Sequence, residues 1–293
     1  MLPLELAKLT SLMERTSGSR EVKIGLIDGP VATQHPDLAG EHLCEIPGNS
    51  GACTQANSVA CLHGTFVAGI LSAKRDSPAP AICPDCTLLI RPIFAAKTSD
   101  SEHLPSATPQ ELAAAISECI DAGVRVINLS LALAQPSSKG ERALEEALHQ
   151  AVRRGVIVVA AAGNQGALGS SAITRHPWVI SVVACDLRGR PLSVSNLGGS
   201  IGRRGLAAPG DAITSLGAEG TPLKLGGTSV AAPFVTGTIA LLWSEFPKAT
   251  AAQVKFAVTH SYAPRRTAVA PPLLNAWAAY QSLATDMARA KKG

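Results

Sequence analysis

The sequence predicts an α/β fold, a single domain built on a doubly wound, mostly parallel sheet with helices on both faces. Short continuous apolar runs, typical of parallel strands that are buried on both sides, occur at residues 22–27, 88–94, 124–131, 156–161 and 179–184. Segments with the apolar spacing of helices separate or follow them, at residues 64–73, 109–122, 140–154, 229–246 and 250–259. The chain has 293 residues and is 46% hydrophobic, which is enough apolar surface for one large core.

The N-terminal segment is predicted to be a short amphipathic helix at residues 4–15, followed by a linker at residues 16–20. No second linker and no internal repeat interrupts the remaining pattern. We therefore expect three parts, namely an N-terminal helix and linker at 1–20, a main domain at 21–285 and a basic tail at 286–293.

Turn and cap residues mark the ends of the predicted elements. The first strand stops at Asp28-Gly29-Pro30, a strong turn signal. Gly123 and Gly155 each follow a predicted helix directly, as glycine often does. Each is followed in turn by an apolar run, so the chain alternates between helix and strand as βαβ units require.

Charge and hydropathy exclude several classes of protein. The formal net charge is only +4, and the basic residues are scattered, so we expect no nucleic-acid partner. No apolar run approaches the roughly 18 residues of a membrane span, so we expect no membrane partner. The N-terminus lacks the basic start and apolar centre of a signal peptide, and we therefore expect a cytoplasmic protein.

The seven cysteines leave several interpretations open. Cys83 and Cys86 form a CxxC, which is weak evidence for redox chemistry or zinc, because a zinc site needs two more ligands. Cys44, Cys53 and Cys61 bracket a loop rich in Gly, Asn and Ser, which suits a disulfide. Since the count is odd, at least one thiol is expected to be free, and structural packing could account for all seven.

The first candidate for chemistry is Ser229, in the stretch from Leu225 to Gly237. Two glycines lead into Thr228-Ser229, and an apolar run follows that predicts a buried helix. A serine at a helix start has its hydroxyl and its own N–H at the positive end of the helix, which suits a nucleophile that must then hold an oxyanion. The alternative is a simple N-cap.

Three further candidates lie at strand ends or at a helix start, where the chemistry of parallel sheets gathers. Asp28 follows the first strand, Asn164 follows the strand at 156–161, and His63 precedes the helix at 64–73. Each has a structural alternative: an ordinary turn for Asp28 and Asn164, and a packed histidine for His63. A serine nucleophile needs a base and the base needs a carboxylate, so the four together favour catalysis.

The segments around these residues resemble the signature segments of subtilisin-type serine endopeptidases. The resembling segments are Ile24 to Gly29, His63 to Gly69, Ala161 to Asn164 and Gly227 to Gly237, with a His-Pro-Asp-Leu at residues 35–38 that is also frequent in the family. Pro30 stands where a glycine is usual. The similarity extends from about residue 22 to residue 260, so that residues 21–285 would form a subtilisin-like catalytic domain.

The resemblance implies a role for each candidate. Ser229 would attack the scissile carbonyl, His63 would accept and return its proton, and Asp28 would orient His63. The side-chain amide of Asn164 and the N–H of Ser229 would hold the oxyanion. The residues expected to line the substrate cleft are Ser130, Leu131, Ala132, Leu133, Ala161 and Gly163.

Four departures from the family pattern qualify these expectations. The segment after Ser130 reads Leu-Ala-Leu where subtilisins have Leu-Gly-Gly, and the segment after Asn164 is shorter, so the cleavage preference stays open. The usual calcium loop is replaced by residues 74–80, which hold few oxygen ligands and two cations, so we expect no metal and no cofactor there. The inhibitory pro-domain is expected to be absent, because the first strand begins by about residue 22.

The segment Asp-Gly-Pro-Val at residues 28–31 resembles the corresponding segment of the cytoplasmic subtilases that trim ribosomally made peptides. The cyanobactin leader-removing proteases are examples of such subtilases. The expected partner is therefore a peptide or protein substrate, with leader removal from a precursor as the narrow hypothesis and general protein turnover as its competitor. Two alternatives belong to other functional classes. One is a catalytically silent fold that binds peptides, and the other is a thiol-redox protein that uses Cys83 and Cys86. A metalloenzyme is not indicated, because the sequence contains no HExxH-like spacing of metal ligands.

Overall fold

The structure is a computed structural model that describes residues 1–38, 40, 42–46, 51–94, 107–131, 141–260 and 269–290. Its centre is a seven-stranded sheet in the order β2-β3-β1-β4-β5-β6-β7, and all of its strand pairs are parallel. The strands are β1 Lys23–Asp28, β2 Leu43–Glu45, β3 Thr87–Pro92, β4 Val126–Leu129, β5 Ile157–Ala161, β6 Val179–Cys185 and β7 Leu206–Pro209. A separate antiparallel pair consists of β8 Ile213–Ser215 and β9 Leu223–Leu225.

The described helices cover both faces of the sheet. They are α1 Pro3–Leu6, α2 Thr10–Arg15, α3 Val59–Ser72, α4 Pro109–Asp121, α5 Glu141–Arg154, α6 Ala172–Arg175, α7 Gly199–Arg204, α8 Thr228–Glu245, α9 Ala251–His260 and α10 Ala276–Ala290. One apolar core unites α3, α8 and α9 with one face of the sheet, and a second unites α4 and α5 with the other face. The predicted doubly wound α/β domain is therefore confirmed.

The helix α8 lies at the centre of the larger core. It is apolar on all sides, with Phe234 and Trp243 completely buried, as expected of a helix that is surrounded by protein. It packs against β4, β5, β6 and β7 and against α3. Its first residue is Thr228, so the predicted nucleophile Ser229 lies in its first turn.

Two predicted elements differ from the structure. The single N-terminal helix at 4–15 is divided into α1 and α2, because Lys8 between them adopts the left-handed conformation, with φ of 54°, which interrupts the helical hydrogen bonds. The helix expected from residue 64 begins at Val59, because the Ser58 hydroxyl caps it by accepting from the N–H of Cys61. His63 therefore lies inside α3 rather than before it.

The ends of the chain contact the main body of the fold. Leu9 and Leu12 are completely buried in the same core as α8. At the other end, α10 crosses the predicted boundary at residue 285 and continues to Ala290. Among the residues that the structure describes, no helix combines the length and the apolar character that a membrane crossing requires.

Candidate active site

The site is built at the carboxyl end of the central strand β1. Asp28 is the last residue of this strand, and β1 pairs with β3 on one side and β4 on the other. The strand order reverses direction around β1, so the crevice at its carboxyl end is the place where a doubly wound sheet binds ligands. Asp28 is only 1% exposed, so its carboxylate lies in surroundings that water does not screen.

The helix α3 brings His63 against this carboxylate. His63 Nδ1 lies 2.7 Å from Asp28 Oδ1, and His63 is itself buried. The close approach depends on Gly29, because a Cβ at this position would lie 2.0 Å from the carbonyl oxygen of Ala60 in the first turn of α3. A residue with a side chain at this position would therefore not fit this packing.

The pair is oriented as a base requires. Asp28 Oδ1 accepts a second hydrogen bond from the N–H of Gly29, at 2.6 Å, which fixes the carboxylate. An ionised carboxylate only accepts, so it favours the tautomer in which Nδ1 of His63 carries the proton and Nε2 has a free lone pair. Within the described ranges, neither Nε2 of His63 nor Oδ2 of Asp28 has a hydrogen-bond partner.

Ser229 is partly exposed, and it is presented by the start of α8. The residue before the helix, Gly227, has φ of 121°, a conformation that side chains other than hydrogen rarely allow. The helix that follows this turn packs against α3, which carries His63. Among the described residues, Nε2 of His63 has no hydrogen bond to Ser229 or to any other group, whereas Nδ1 is bound to Asp28.

Asn164 lies beside the start of the same helix. Its Oδ1 accepts from the N–H of Thr228 at 2.9 Å and from the Thr228 hydroxyl at 3.0 Å. The Thr228 hydroxyl in turn accepts from the N–H of Gly163 at 3.2 Å. Because the oxygen of the amide is engaged by Thr228, the Nδ2 group is the part that remains to serve as a donor. Asn164 is exposed, so this amide group is accessible from the surface.

Asn196 organises the loop that carries Asn164. Its Oδ1 accepts from the N–H groups of Gln165 and Ala167, at 3.1 and 2.9 Å. Its Nδ2 donates to the carbonyl of Ala162 and to Oε1 of Gln165, at 3.2 and 2.7 Å. The sequence reasoning missed this residue, because an isolated asparagine more than 30 positions away carries no local signal.

The expected substrate-lining residues are distributed as follows. Ala161 ends β5 and Gly163 follows it, both buried beside Asn164. Ser130 and Leu131 follow β4 and are buried, and the Ser130 hydroxyl contacts α8 rather than solvent. Ala132 and Leu133 lie outside the described residues.

The cysteines divide into one pair and five free thiols. Cys53 and Cys61 form a disulfide that ties the preceding loop to the first turn of α3, whereas Cys44 is free and exposed. Cys83 and Cys86 are completely buried. Burial raises the pKa of Cys119 and Cys185 to about 12, which makes these thiols unreactive near neutral pH.

The residues that replace the expected calcium loop form hydrogen bonds with the N-terminal segment. The guanidinium of Arg75 donates to the carbonyl oxygens of Met13, Thr16 and Ile82, at 2.5, 3.0 and 3.3 Å. Partial burial lowers the pKa of Arg75 from its usual value. Within the described ranges, no three His, Cys, Asp or Glu side chains are grouped to hold a metal ion.

Comparison with known proteins adds independent evidence. The model of the subtilase family, Peptidase_S8, matches residues 19–282. Subtilisin DY from Bacillus licheniformis is 32% identical over 239 residues, which are 80% of this chain and 81% of that protein. The chain spans 58% of the length of several other curated subtilisins that are also 32% identical to it.

Two solved structures share the whole architecture. A serine-to-alanine mutant of the protease domain of PatA has a TM-score of 0.83 and 31% identity, and covers 92% of this chain and 97% of its own. The prenylagaramide maturation protease PagA has a TM-score of 0.82 and 30% identity, and covers 94% and 98%. The family match, the parallel sheet and the buried aspartate–histidine pair agree, and the chain belongs to the subtilase family of serine endopeptidases.

Proposed function

We propose that Asp28, His63 and Ser229 are the catalytic residues, that Asn164 and the N–H of Ser229 hold the oxyanion, and that the natural substrate is a ribosomally made precursor peptide. The observation that carries the catalytic assignment is the buried hydrogen bond of 2.7 Å between His63 Nδ1 and Asp28 Oδ1. A buried aspartate–histidine pair is suited to general-base catalysis when its histidine lies on a helix, α3, that packs against the helix of Ser229.

The reaction follows from the geometry of the pair. Nε2 of His63 takes the proton of the Ser229 hydroxyl as its oxygen attacks the scissile carbonyl. Asp28 stabilises the imidazolium that forms, because its carboxylate accepts from Nδ1. The imidazolium then protonates the leaving amine, and an acyl-enzyme remains on Ser229. A water molecule, deprotonated by the same imidazole, hydrolyses the ester and releases the second product.

The oxyanion of each tetrahedral intermediate receives two donors. The N–H of Ser229 lies in the first turn of α8, where it has no helical carbonyl to bind. The amide of Asn164 is held through its oxygen by Thr228, which leaves Nδ2 to donate. Two fixed donors in a partly buried site stabilise the developing charge without reorganisation.

Fluorophosphonate labelling tests the catalytic assignment. The native protein is expected to be labelled, and Ser229→Ala is expected not to be, because only an activated serine reacts. Hydrolysis by Ser229→Ala should fall by about 10⁶-fold, the size of the loss known for the nucleophile of subtilisin itself. Circular dichroism of both proteins verifies folding. If the native protein is folded but does not react, a catalytically silent fold that binds peptides becomes the better hypothesis.

The substrate class is supported by the likeness to PatA and PagA, because PagA is described as a prenylagaramide maturation protease and PatA as a patellamide maturation protease. Both likenesses extend over more than nine-tenths of this chain. The cytoplasmic location expected from the sequence stays a prediction. The four free and buried thiols accord with a reducing compartment, whereas the Cys53–Cys61 disulfide is more usual in an oxidising one, and cell fractionation tests the location.

Substrate profiling separates precursor processing from general protein turnover. We would incubate the enzyme with synthetic precursor peptides that carry a leader and a core segment and, in parallel, with casein, and locate the cleavage sites by mass spectrometry. A processing enzyme is expected to cut a precursor at one position between leader and core with a kcat/KM at least about 100-fold above that for casein. Cleavage of casein at many positions with comparable kcat/KM would favour turnover.

A further inference from the structure

The first turn of α8 contains a carbonyl that the helix itself cannot satisfy. In an α-helix the carbonyl of Ser229 would accept from the N–H of the residue four positions later, which here is Pro233. Proline has no N–H. The missing donor comes from another element, since the Ser130 hydroxyl, just after β4, donates to the Ser229 carbonyl at 2.9 Å.

The Ser130 hydroxyl is oriented by a buried chain of hydrogen bonds. It accepts from Nδ2 of Asn128 at 2.6 Å, and Oδ1 of Asn128 accepts from the hydroxyl of Thr236 at 2.8 Å. Each hydroxyl has one proton, so the donors all point the same way, from Thr236 through Asn128 and Ser130 to the carbonyl of Ser229. The three side chains are 0 to 1% exposed, so water cannot replace any of these bonds.

This chain begins and ends on the same helix. Thr236 lies two turns after Ser229, and residues seven positions apart share one face of a helix. The end of β4 therefore holds α8 at two points, one of them the peptide group that follows the nucleophile.

We propose that Thr236, Asn128 and Ser130 are positioning residues for the reaction. By fixing the carbonyl of Ser229, they fix the rotation of that peptide group and, with it, the direction of the Ser229 side chain and N–H. Without the chain, the first turn of α8 lacks a hydrogen bond at the point where the nucleophile must be held. The proposal rests on the catalytic role proposed for Ser229 and concerns residues that do not touch the reacting atoms.

The test compares three substitutions on α8. Thr236→Val removes the hydroxyl that begins the chain but keeps the shape of the side chain. Thr236→Ser retains the hydroxyl. Thr238→Val is the matched control, because Thr238 is equally buried on the same helix but donates only to the carbonyl of Phe234. The readouts are kcat and KM on a chromogenic peptide, the rate of fluorophosphonate labelling, and the thermal midpoint.

For Thr236→Val we expect about a tenfold loss in both kcat and the labelling rate, the effect of a displaced nucleophile, with KM changed less than about twofold. Thr236→Ser should stay within about twofold of the native kcat, and Thr238→Val should lower the thermal midpoint without lowering kcat. A purely structural role predicts equal behaviour of Thr236→Val and Thr238→Val, and that result would overturn the proposal. So would a Thr236→Ser enzyme as slow as Thr236→Val.

If Thr236→Val does not fold, Ser130→Ala carries the test at the other end of the chain. Its kcat should fall by at least about tenfold, and a native kcat would overturn the proposal. Where both variants fold, adding Thr236→Val to Ser130→Ala should change kcat less than about twofold, because the chain is already broken. Failure of the catalytic assignment looks different, since either the native protein would not be labelled or Ser229→Ala would be labelled as well, whatever the Thr236 variants do.

Discussion

The loop that presents Asn164 depends on the side chain of Asn196, and this dependence has a measurable size. Asn196→Ala removes four hydrogen bonds, to Ala162, to Ala167 and twice to Gln165. It retains the backbone hydrogen bond from Asn196 to the carbonyl of Gly163, at 2.9 Å. The loop should therefore loosen rather than detach.

The loss of kcat that Asn196→Ala should cause can be estimated from the lost hydrogen bonds and limited by the loss for Asn164→Ala. Most of the lost bonds lie at exposed groups that water can satisfy, so together they contribute about 2 kcal/mol at most to the ordered loop. That free energy corresponds to a factor of about 30 in the equilibrium between the ordered and the loosened loop. Part of this change is absorbed when the native loop is more stable than full order requires, so we expect about a tenfold loss of kcat. The upper limit is the loss for Asn164→Ala itself, roughly 100- to 1,000-fold if it matches that of the oxyanion asparagine in subtilisin.

The assay is a double-mutant cycle on kcat with a chromogenic peptide substrate. Because Asn196 is expected to act only through Asn164, the substitution Asn196→Ala should cost less than about twofold in the Asn164→Ala background. KM should change less than about threefold in both backgrounds. If the two losses multiply, Asn196 acts elsewhere in the site and the reasoning is refuted. A native kcat for Asn196→Ala alone would refute it as well.

Other predictions concern stability and titration. Arg75→Ala should lower the free energy of unfolding by about 1–2 kcal/mol in urea titrations, because three carbonyls lose a charged donor. The control Lys74→Ala should change it by less than about 0.5 kcal/mol. Equal effects of the two substitutions would contradict a stabilising role of the Arg75 hydrogen bonds. Burial, and then the charge of His149, lower the pKa of His176 below the usual value of about 6.5, so the unfolded chain binds more protons than the folded one and stability should fall as pH drops from 6.5 toward the folded pKa. NMR titration checks this sign, and a midpoint at or above 6.5 would contradict it. Among the five free cysteines, Cys44 alone should react with iodoacetamide in the native state, and rapid reaction of a second thiol would show that the buried thiols are accessible.

The sequence predicted the fold class and the family correctly because both depend on local signals. Continuous apolar runs such as that before Asp28 can be buried only in a sheet that is covered on both faces. The signature segments around His63 and Ser229 are contiguous in the chain, so their residue order identifies them without coordinates. Element boundaries were weaker, since the Ser58 cap lies within a segment whose many turn residues conceal it.

The supports of the site could not be predicted in the same way. Asn196 holds the loop of Asn164 from more than 30 positions away, and Thr236 reaches Ser130 through Asn128 across more than 100 positions. The sequence singled out neither Asn196 nor Asn128, and it indicated Ser130 as a residue of the substrate cleft rather than as a support of α8, because polar side chains at such positions occur equally in turns and on surfaces.

What the sequence determined by itself is therefore the parallel sheet, the family and the candidate residues Asp28, His63, Asn164 and Ser229. Only the tertiary structure decided how those residues are held, through the hydrogen bond between Asp28 and His63, the hold of Thr228 on Asn164, and the donor that replaces the N–H missing at Pro233. The physical reason is that a hydrogen bond between distant segments exists only when the packing of helices against the sheet brings its two partners within about 3 Å. Local patterns specify which elements form, whereas that distance is set by the way in which all of them pack together.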